Sequence, residues 1–205
     1  MILIENVEVT GLSAAIRGMR NPLDSWAKSD SGYEGNEFKV GEADLDLMRR
    51  LREAGTDHRK YLRMIAVYAD ITAPLYWYKE YDTYKVGTVA NSCSTMHTIH
   101  KHGINEDLFS LDNGYEFNPE QKKVIEDYLA LLEDLRVNCK SGDETWRALI
   151  QLLPEAFNQK RTVMLNYEVL ANMYKSRKTH KLNEWVKFCE WIKTLPHSEL
   201  ITGEI

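Results

Sequence analysis

Arg177 closes the basic run Lys175-Ser176-Arg177, with Lys178 directly after it. A guanidinium is well shaped to grip a phosphate through two parallel hydrogen bonds. The same run also reads as a solvated helix end whose cations complement the macrodipole. Asn166, directly before Tyr167, carries an amide that can bond an adenine edge or cap a helix. His180, beside Lys181, is a candidate phosphate contact or an ordinary surface histidine. Cys93 has the chemistry of a nucleophile. No histidine or arginine flanks it closely enough to argue for a stabilised thiolate, so the alternative is a small buried cysteine. His97, His100 and His102 share that stretch and have metal-ligand side chains, but the spacing is loose and two of them flank Lys101, so no metal site is expected. Tyr76, Trp77, Tyr78, Tyr81 and Tyr84 could stack on a flat ring or fill a core.

These residues need elements to position them. Ile2 to Val9 alternates with a change of phase and predicts a strand; Leu12 to Met19 has helical spacing between Gly11 and Asn21-Pro22. Residues 21 to 41, rich in Ser, Asp, Gly and Asn, predict a mobile loop, and loops of that length are often functional. Glu42 to Ala54 predicts a helix with Leu45, Leu47, Met48 and Leu51 on one side, and Tyr61 to Ile71 a buried strand. Ala73-Pro74 then leads into a short aromatic helix from Leu75, while Thr83 to His102 fits neither period and is read as loop with some helix. Asn118-Pro119-Glu120-Gln121 is a helix start with a capping box. That helix should run to about Cys139 with Val124, Ile125, Tyr128, Leu129, Leu132 and Leu135 as its apolar face. A further helix ends at Leu153-Pro154, Arg161 to Leu165 is a strand, and Tyr167 to Ser176 and Leu182 to Lys193 are helices. The expectation is an α+β fold, a mixed sheet packed against several helices, with a helix-rich second half.

Composition sets the limits. The 205 residues suit one domain over 1–205, and 43% hydrophobic with 28% charged residues is ordinary for a globular protein. No apolar stretch is long enough for a membrane span, and Glu5 and Glu8 stand where a signal peptide needs bases, so a cytoplasmic location is expected. Three scattered cysteines, Cys93, Cys139 and Cys189, argue for reduced thiols. A formal net charge of −5 argues against broad nucleic-acid binding and leaves room for a local phosphate pocket.

Taken in order, these elements resemble the flavin-dependent thymidylate synthases, the ThyX family, over nearly the whole chain. Val7-Glu8-Val9 with Leu12-Ser13-Ala14-Ala15-Ile16-Arg17 is similar to the family's first strand and helix, and Ile71-Thr72-Ala73-Pro74 to the junction ahead of its signature. Leu153-Pro154, then Asn166 twelve residues after the proline, then Arg177 eleven after the asparagine, keep the family's spacing. His180 and Glu184 resemble its His and Glu, with His180 one residue early. The resemblance implies a flavin, FAD, reduced by NADPH, that passes a one-carbon unit from methylenetetrahydrofolate to C5 of dUMP, with no side-chain nucleophile. It also implies a homotetramer with flavin sites at subunit contacts.

The family's signature is Arg-His-Arg, seven intervening residues, then Ser; counted from Ala73-Pro74, those places fall on Thr83, Tyr84, Lys85 and Cys93. A shift of one residue would put Ser94 on the serine, Lys85 on the histidine and Val86 on the last arginine. The arginine two beyond the serine becomes Thr95, and the one four ahead of Pro154 becomes Ile150. Carried over residue by residue, the resemblance implies Lys85, Asn166 and His180 toward the flavin and Arg177 and Cys93 toward the nucleotide. Two functions follow as expectations: a divergent thymidylate synthase-like protein acting on or binding a pyrimidine deoxynucleotide such as dUMP, or a non-catalytic nucleotide- or protein-binding module that kept the fold and lost flavin. Losing cations favours the second, because a flavin dinucleotide carries two phosphate charges that must be compensated on burial.

Overall fold

The computed structural model describes residues 1–111 and 114–204. It is an α+β fold: strands β1 (Leu3–Thr10), β4 (Ala66–Pro74), β6 (Asn158–Asn166) and β5 (Val89–Ser92) form a sheet in the order β1-β4-β6-β5. Strands β2 (Gly32–Glu34) and β3 (Glu37–Lys39) pair antiparallel, with Tyr33 opposite Phe38. No helix among the described residues is long and apolar enough to cross a membrane. The chain divides into two compact units.

The first unit holds Met1–Ile4, Ile71–Thr83 and Asn91–Arg161. Its helices are α3 (Leu75–Tyr81), α4 (Thr95–Thr98), α5 (Pro119–Asn138) and α6 (Glu144–Leu152). The capping box forms as expected: Asn118 accepts from the Gln121 amide at 2.9 Å while the Gln121 side chain accepts from the Asn118 amide at 3.0 Å. A core cluster of Ile99, Ile104, Phe109, Leu132, Leu149 and Phe157 lies beneath α5 and α6. Val124 departs from the expected apolar face and is 68% exposed. It precedes the buried Leu132 by two turns and a fraction, so it falls about 80° around the helix from the packed side. Trp77, Tyr78 and Tyr81 are buried together, with Trp77 and Tyr81 stacked at 5.1 Å. Trp77, Tyr78 and Tyr81 are therefore core, while Tyr76 and Tyr84 are half-buried.

The second unit holds Glu5–Asp70, Tyr84–Ala90 and Thr162–Ile205. Its helices are α1 (Leu12–Arg20), α2 (Glu42–Glu53), α7 (Tyr167–Arg177), α8 (Asn183–Ile192) and α9 (Glu199–Thr202). Helix α7 buries Tyr167, Val169, Leu170, Ala171, Met173 and Tyr174 together with Glu168, whose charge is met by Arg59 at 2.9 Å. It packs against α8, α9 and the 3-10 turn Lys60–Met64.

That turn corrects one expectation. The apolar run from Tyr61 is not all strand: residues 60–64 form the turn, with the Tyr61 hydroxyl donating to the Met48 carbonyl at 2.7 Å, and β4 begins at Ala66. A continuous apolar run has no period to tell a buried turn from a buried strand. Residues 21–41 likewise contain two short 3-10 turns and the β2-β3 ribbon, and Thr83 to His102 contains β5. The ribbon in the first stretch pairs with itself, Gly32 opposite Lys39, whereas β5 takes its order from β6, far off in the chain.

Candidate functional site

In the second unit Arg177 ends α7 half-buried. Its Nε donates to the Tyr84 hydroxyl at 3.0 Å, and its Nη1 lies 3.1 Å from His180 Nε2. The guanidinium also sits 4.9 Å above the Trp185 ring, a contact that orients a cation as well as attracting it. Trp185 is fully buried on α8 and fixes the platform. His180 is oriented in turn, because its Nδ1 accepts the Leu182 amide at 3.2 Å. The structure thus brings Arg177 and His180 together, joins to them Tyr84, both a stacking candidate and a signature place, and adds Trp185, which the sequence did not single out. The reading of Arg177 as a solvated helix end does not describe this geometry.

Asn166 caps α7: its Oδ1 accepts the Val169 amide at 2.9 Å. Its amide nitrogen faces Gly87, where an added Cβ would come within 2.4 Å of it. The chain two residues beyond Lys85 therefore passes directly over Asn166. Lys85 itself is exposed and makes no hydrogen bond or ion pair with the described residues.

Cys93 lies in the first unit and is exposed, which corrects the reading of it as a buried cysteine. It follows the short strand β5, whose residues are all exposed, and its amide donates to the Lys160 carbonyl at 2.8 Å. Burial pushes the Cys189 thiol up to about 11, so it behaves as a packed hydrophobe. Among the described residues no group of three or more His, Cys, Asp or Glu side chains gathers as a metal would require. The cations that could compensate lost signature charges differ in availability. Lys79 pairs with Glu155 at 2.7 Å, and Arg161 pairs with Asp82 at 2.8 Å while lying over the Tyr78 ring.

A concavity outside the carried-over residues involves the 21–41 stretch whose length had marked it as a candidate. A cavity of about 1020 Å³ opens in the second unit, lined by the end of α1, the 21–25 turn, α2 and residues 57–64. Met19, Leu47, Leu51 and Met64 supply apolar wall; Lys28, Arg50, His58, Lys60, Asp24 and Asp57 supply polar lining. Lys28 and Lys60 make no ion pair with the described residues. The signal that could have found it is the pairing of a long polar loop with an amphipathic helix directly after it.

The residues carried over toward FAD do not fit a flavin dinucleotide as arranged. Asn166 spends its oxygen on the cap, both His180 nitrogens face protein groups, and the Thr83 hydroxyl donates to the Glu80 carbonyl at 2.7 Å. Of that set only Lys85 is an uncommitted cation, against two phosphate charges.

No protein-family model and no curated protein sequence matches the chain. Solved structures do. Flavin-dependent thymidylate synthase ThyX from Helicobacter pylori, complexed with FAD and dUMP, superposes with a TM-score of 0.69 at 18% identity, covering 97% of this chain and 99% of that one. A UMP/dUMP methylase, PolB from Streptomyces cacaoi, bound with 5-Br dUMP, superposes with a TM-score of 0.66 at 16% identity, covering 99% and 95%. The superposition takes in nearly all of both chains, and this chain has the fold of the flavin-dependent thymidylate synthases.

Proposed function

We propose that this chain binds a pyrimidine nucleotide such as dUMP, with Arg177 as its principal phosphate ligand. The observation that carries this is the orientation of Arg177, a half-buried guanidinium held by Tyr84, His180 and the Trp185 face. A cation fixed in this way loses less side-chain entropy when it meets an anion than a free surface arginine does. Fold neighbours bound to dUMP and 5-Br dUMP support the choice of ligand. In this reading the chain acts as one domain, assembles as a homotetramer and works in the cytoplasm.

The test is calorimetric titration of dUMP into wild type, Arg177→Lys and Arg177→Ala. Losing a charged hydrogen bond costs on the order of 1.5 to 3 kcal/mol, so Arg177→Ala should bind roughly tenfold to a hundredfold more weakly, with Arg177→Lys between. Equal affinities in all three would remove the assignment.

A second reading, a flavin-using methylating protein with NADPH and methylenetetrahydrofolate as co-substrates, is favoured by the size of the second-unit cavity. Its roughly 1020 Å³ is at the upper end of ligand pockets and more than a mononucleotide fills. Lys28 and Lys60 would then stand in for the signature cations. Colour separates the readings: protein that turns yellow on reconstitution with FAD supports the second, and protein that stays colourless while binding dUMP supports the first.

A further inference from the structure

Two aspartates tie the 20–31 segment of the second unit to α2 in opposite directions. Asp44, fully buried on α2, accepts from Arg20 Nε at 2.6 Å through one oxygen. Its other oxygen accepts from the Ser29 and Ser31 hydroxyls, both at 2.6 Å, and from the Asp30 and Ser31 amides at 3.2 and 3.1 Å. Asp30 reaches back from the segment and accepts the Ala43 and Asp44 amides at 2.8 and 3.0 Å, capping the first turn of α2. The crossing is so close that a Cβ on Gly41 would lie 2.2 Å from the Asp30 carboxyl carbon. Ser31 closes the loop by accepting the Gly41 amide at 2.9 Å.

A buried ion pair returns little net stability against an apolar replacement, because desolvation offsets its attraction. Its effect is to fix geometry. The geometry at stake is the cavity wall, since Arg20, Pro22, Asp24, Ser25 and Lys28 line it from one side and Asp46, Leu47 and Arg50 from the α2 side. We propose that Arg20, Asp30 and Asp44 form a clasp that holds the 21–31 segment closed on α2 and thereby sets the width of this cavity. Arg20 and the two aspartates are positioning residues in this arrangement, and the groups that meet a ligand are on the walls they hold. The bearing on ligands rests on the flavin-using reading above; the clasp itself does not.

Limited trypsin digestion tests the clasp, because Lys28 is exposed in the middle of the segment and cleavage there reports local opening. Asp44→Asn and Gly41→Ala should each speed cleavage after Lys28 on the order of tenfold. Leu132→Ala, a core change in the first unit with a comparable loss of melting temperature, should leave that cleavage as in wild type. Unchanged cleavage in the two clasp variants, or an equal rise in Leu132→Ala, would overturn the clasp. FAD titration into the same proteins then tests the wall. Weaker binding by Asp44→Asn, roughly tenfold or more, supports it, and equal binding despite faster cleavage removes the link between clasp and cavity. A wild type that takes no FAD removes the flavin-using reading while the digestion still decides the clasp.

Discussion

Gly87 is the residue where backbone and site constrain each other most directly. Its φ of +83° is a conformation that side chains with a Cβ rarely adopt, and the space where that Cβ would go is taken by the Asn166 amide at 2.4 Å. Gly35 has φ of +64° with open space around it, so it carries the backbone constraint alone. Gly35→Ala should therefore cost on the order of 1 kcal/mol, the ordinary penalty for a left-handed residue. Gly87→Ala should cost about 1 kcal/mol more, because it also displaces the oxygen capping α7. Urea unfolding of the two variants measures the difference, and equal costs would mean that Asn166 moves aside freely. The same pair shows what sequence could and could not reveal here. Asn166 before Tyr167 advertised a cap, and it is one, whereas the approach of Gly87 to Asn166 joins residues far apart in the chain and no local pattern encodes it.

At the scale of elements, α5 is held to the turn before Ile104 by Glu133. Its carboxylate accepts two hydrogen bonds from Arg136, at 2.7 and 2.6 Å, and the Ile104 amide at 2.8 Å, while Arg136 also donates to the His100 carbonyl. The Arg136 hydrogen bonds first, then the Ile104 amide, pull the Glu133 carboxyl down to about 2 from 4.5. A carboxyl lowered in the folded state stabilises above its unfolded value and loses that contribution as pH falls through its folded value. The advantage of wild type over Glu133→Gln in melting temperature should therefore be constant at neutral pH, shrink below about 4.5 and be gone near 2. A difference independent of pH across that window would show that the contacts, not the charge, matter. Arg20 and Asp44 make a buried version of the same device: burial pushes the Asp44 carboxyl up, and the Ser29, Ser31 and Arg20 hydrogen bonds outweigh it and hold it down. Local rules predicted the helices in these contacts, α5 and α2, and read the segments they hold as loop. The α5 capping box was legible because all its parts lie within four residues, while β5, four exposed residues without clear alternation, is ordered by its pairing with β6.

For the whole molecule, the fold was legible in the order of elements and the site only in part, because the fold tolerates replacement at positions where chemistry does not. At 18% identity to a ThyX structure of which it covers 99%, the chain keeps the fold, while Thr83, Tyr84 and Thr95 stand where the resemblance places cations. Each missing charged contact costs on the order of 1.5 to 3 kcal/mol, and two or three together weaken cofactor or substrate binding by orders of magnitude unless other groups compensate. Among cations that could take that role, Lys79 and Arg161 are committed to ion pairs with Glu155 and Asp82. Lys101 lies exposed in the first unit, and Lys60 lines the second-unit cavity. Arg20 and Arg50 on that cavity's lining are paired with Asp44 and Asp46, and Lys60 with Lys28 alone does not rebuild three fixed positive charges. We therefore expect no conversion of dUMP to thymidylate at a rate typical of the family when FAD, NADPH and methylenetetrahydrofolate are supplied. Anaerobic turnover by purified protein, together with complementation of a thymidine-requiring strain, measures this. Robust thymidylate formation or growth without thymidine would show that the cavity cations do what the signature residues do elsewhere; Lys60→Ala and Lys28→Ala should then each abolish it.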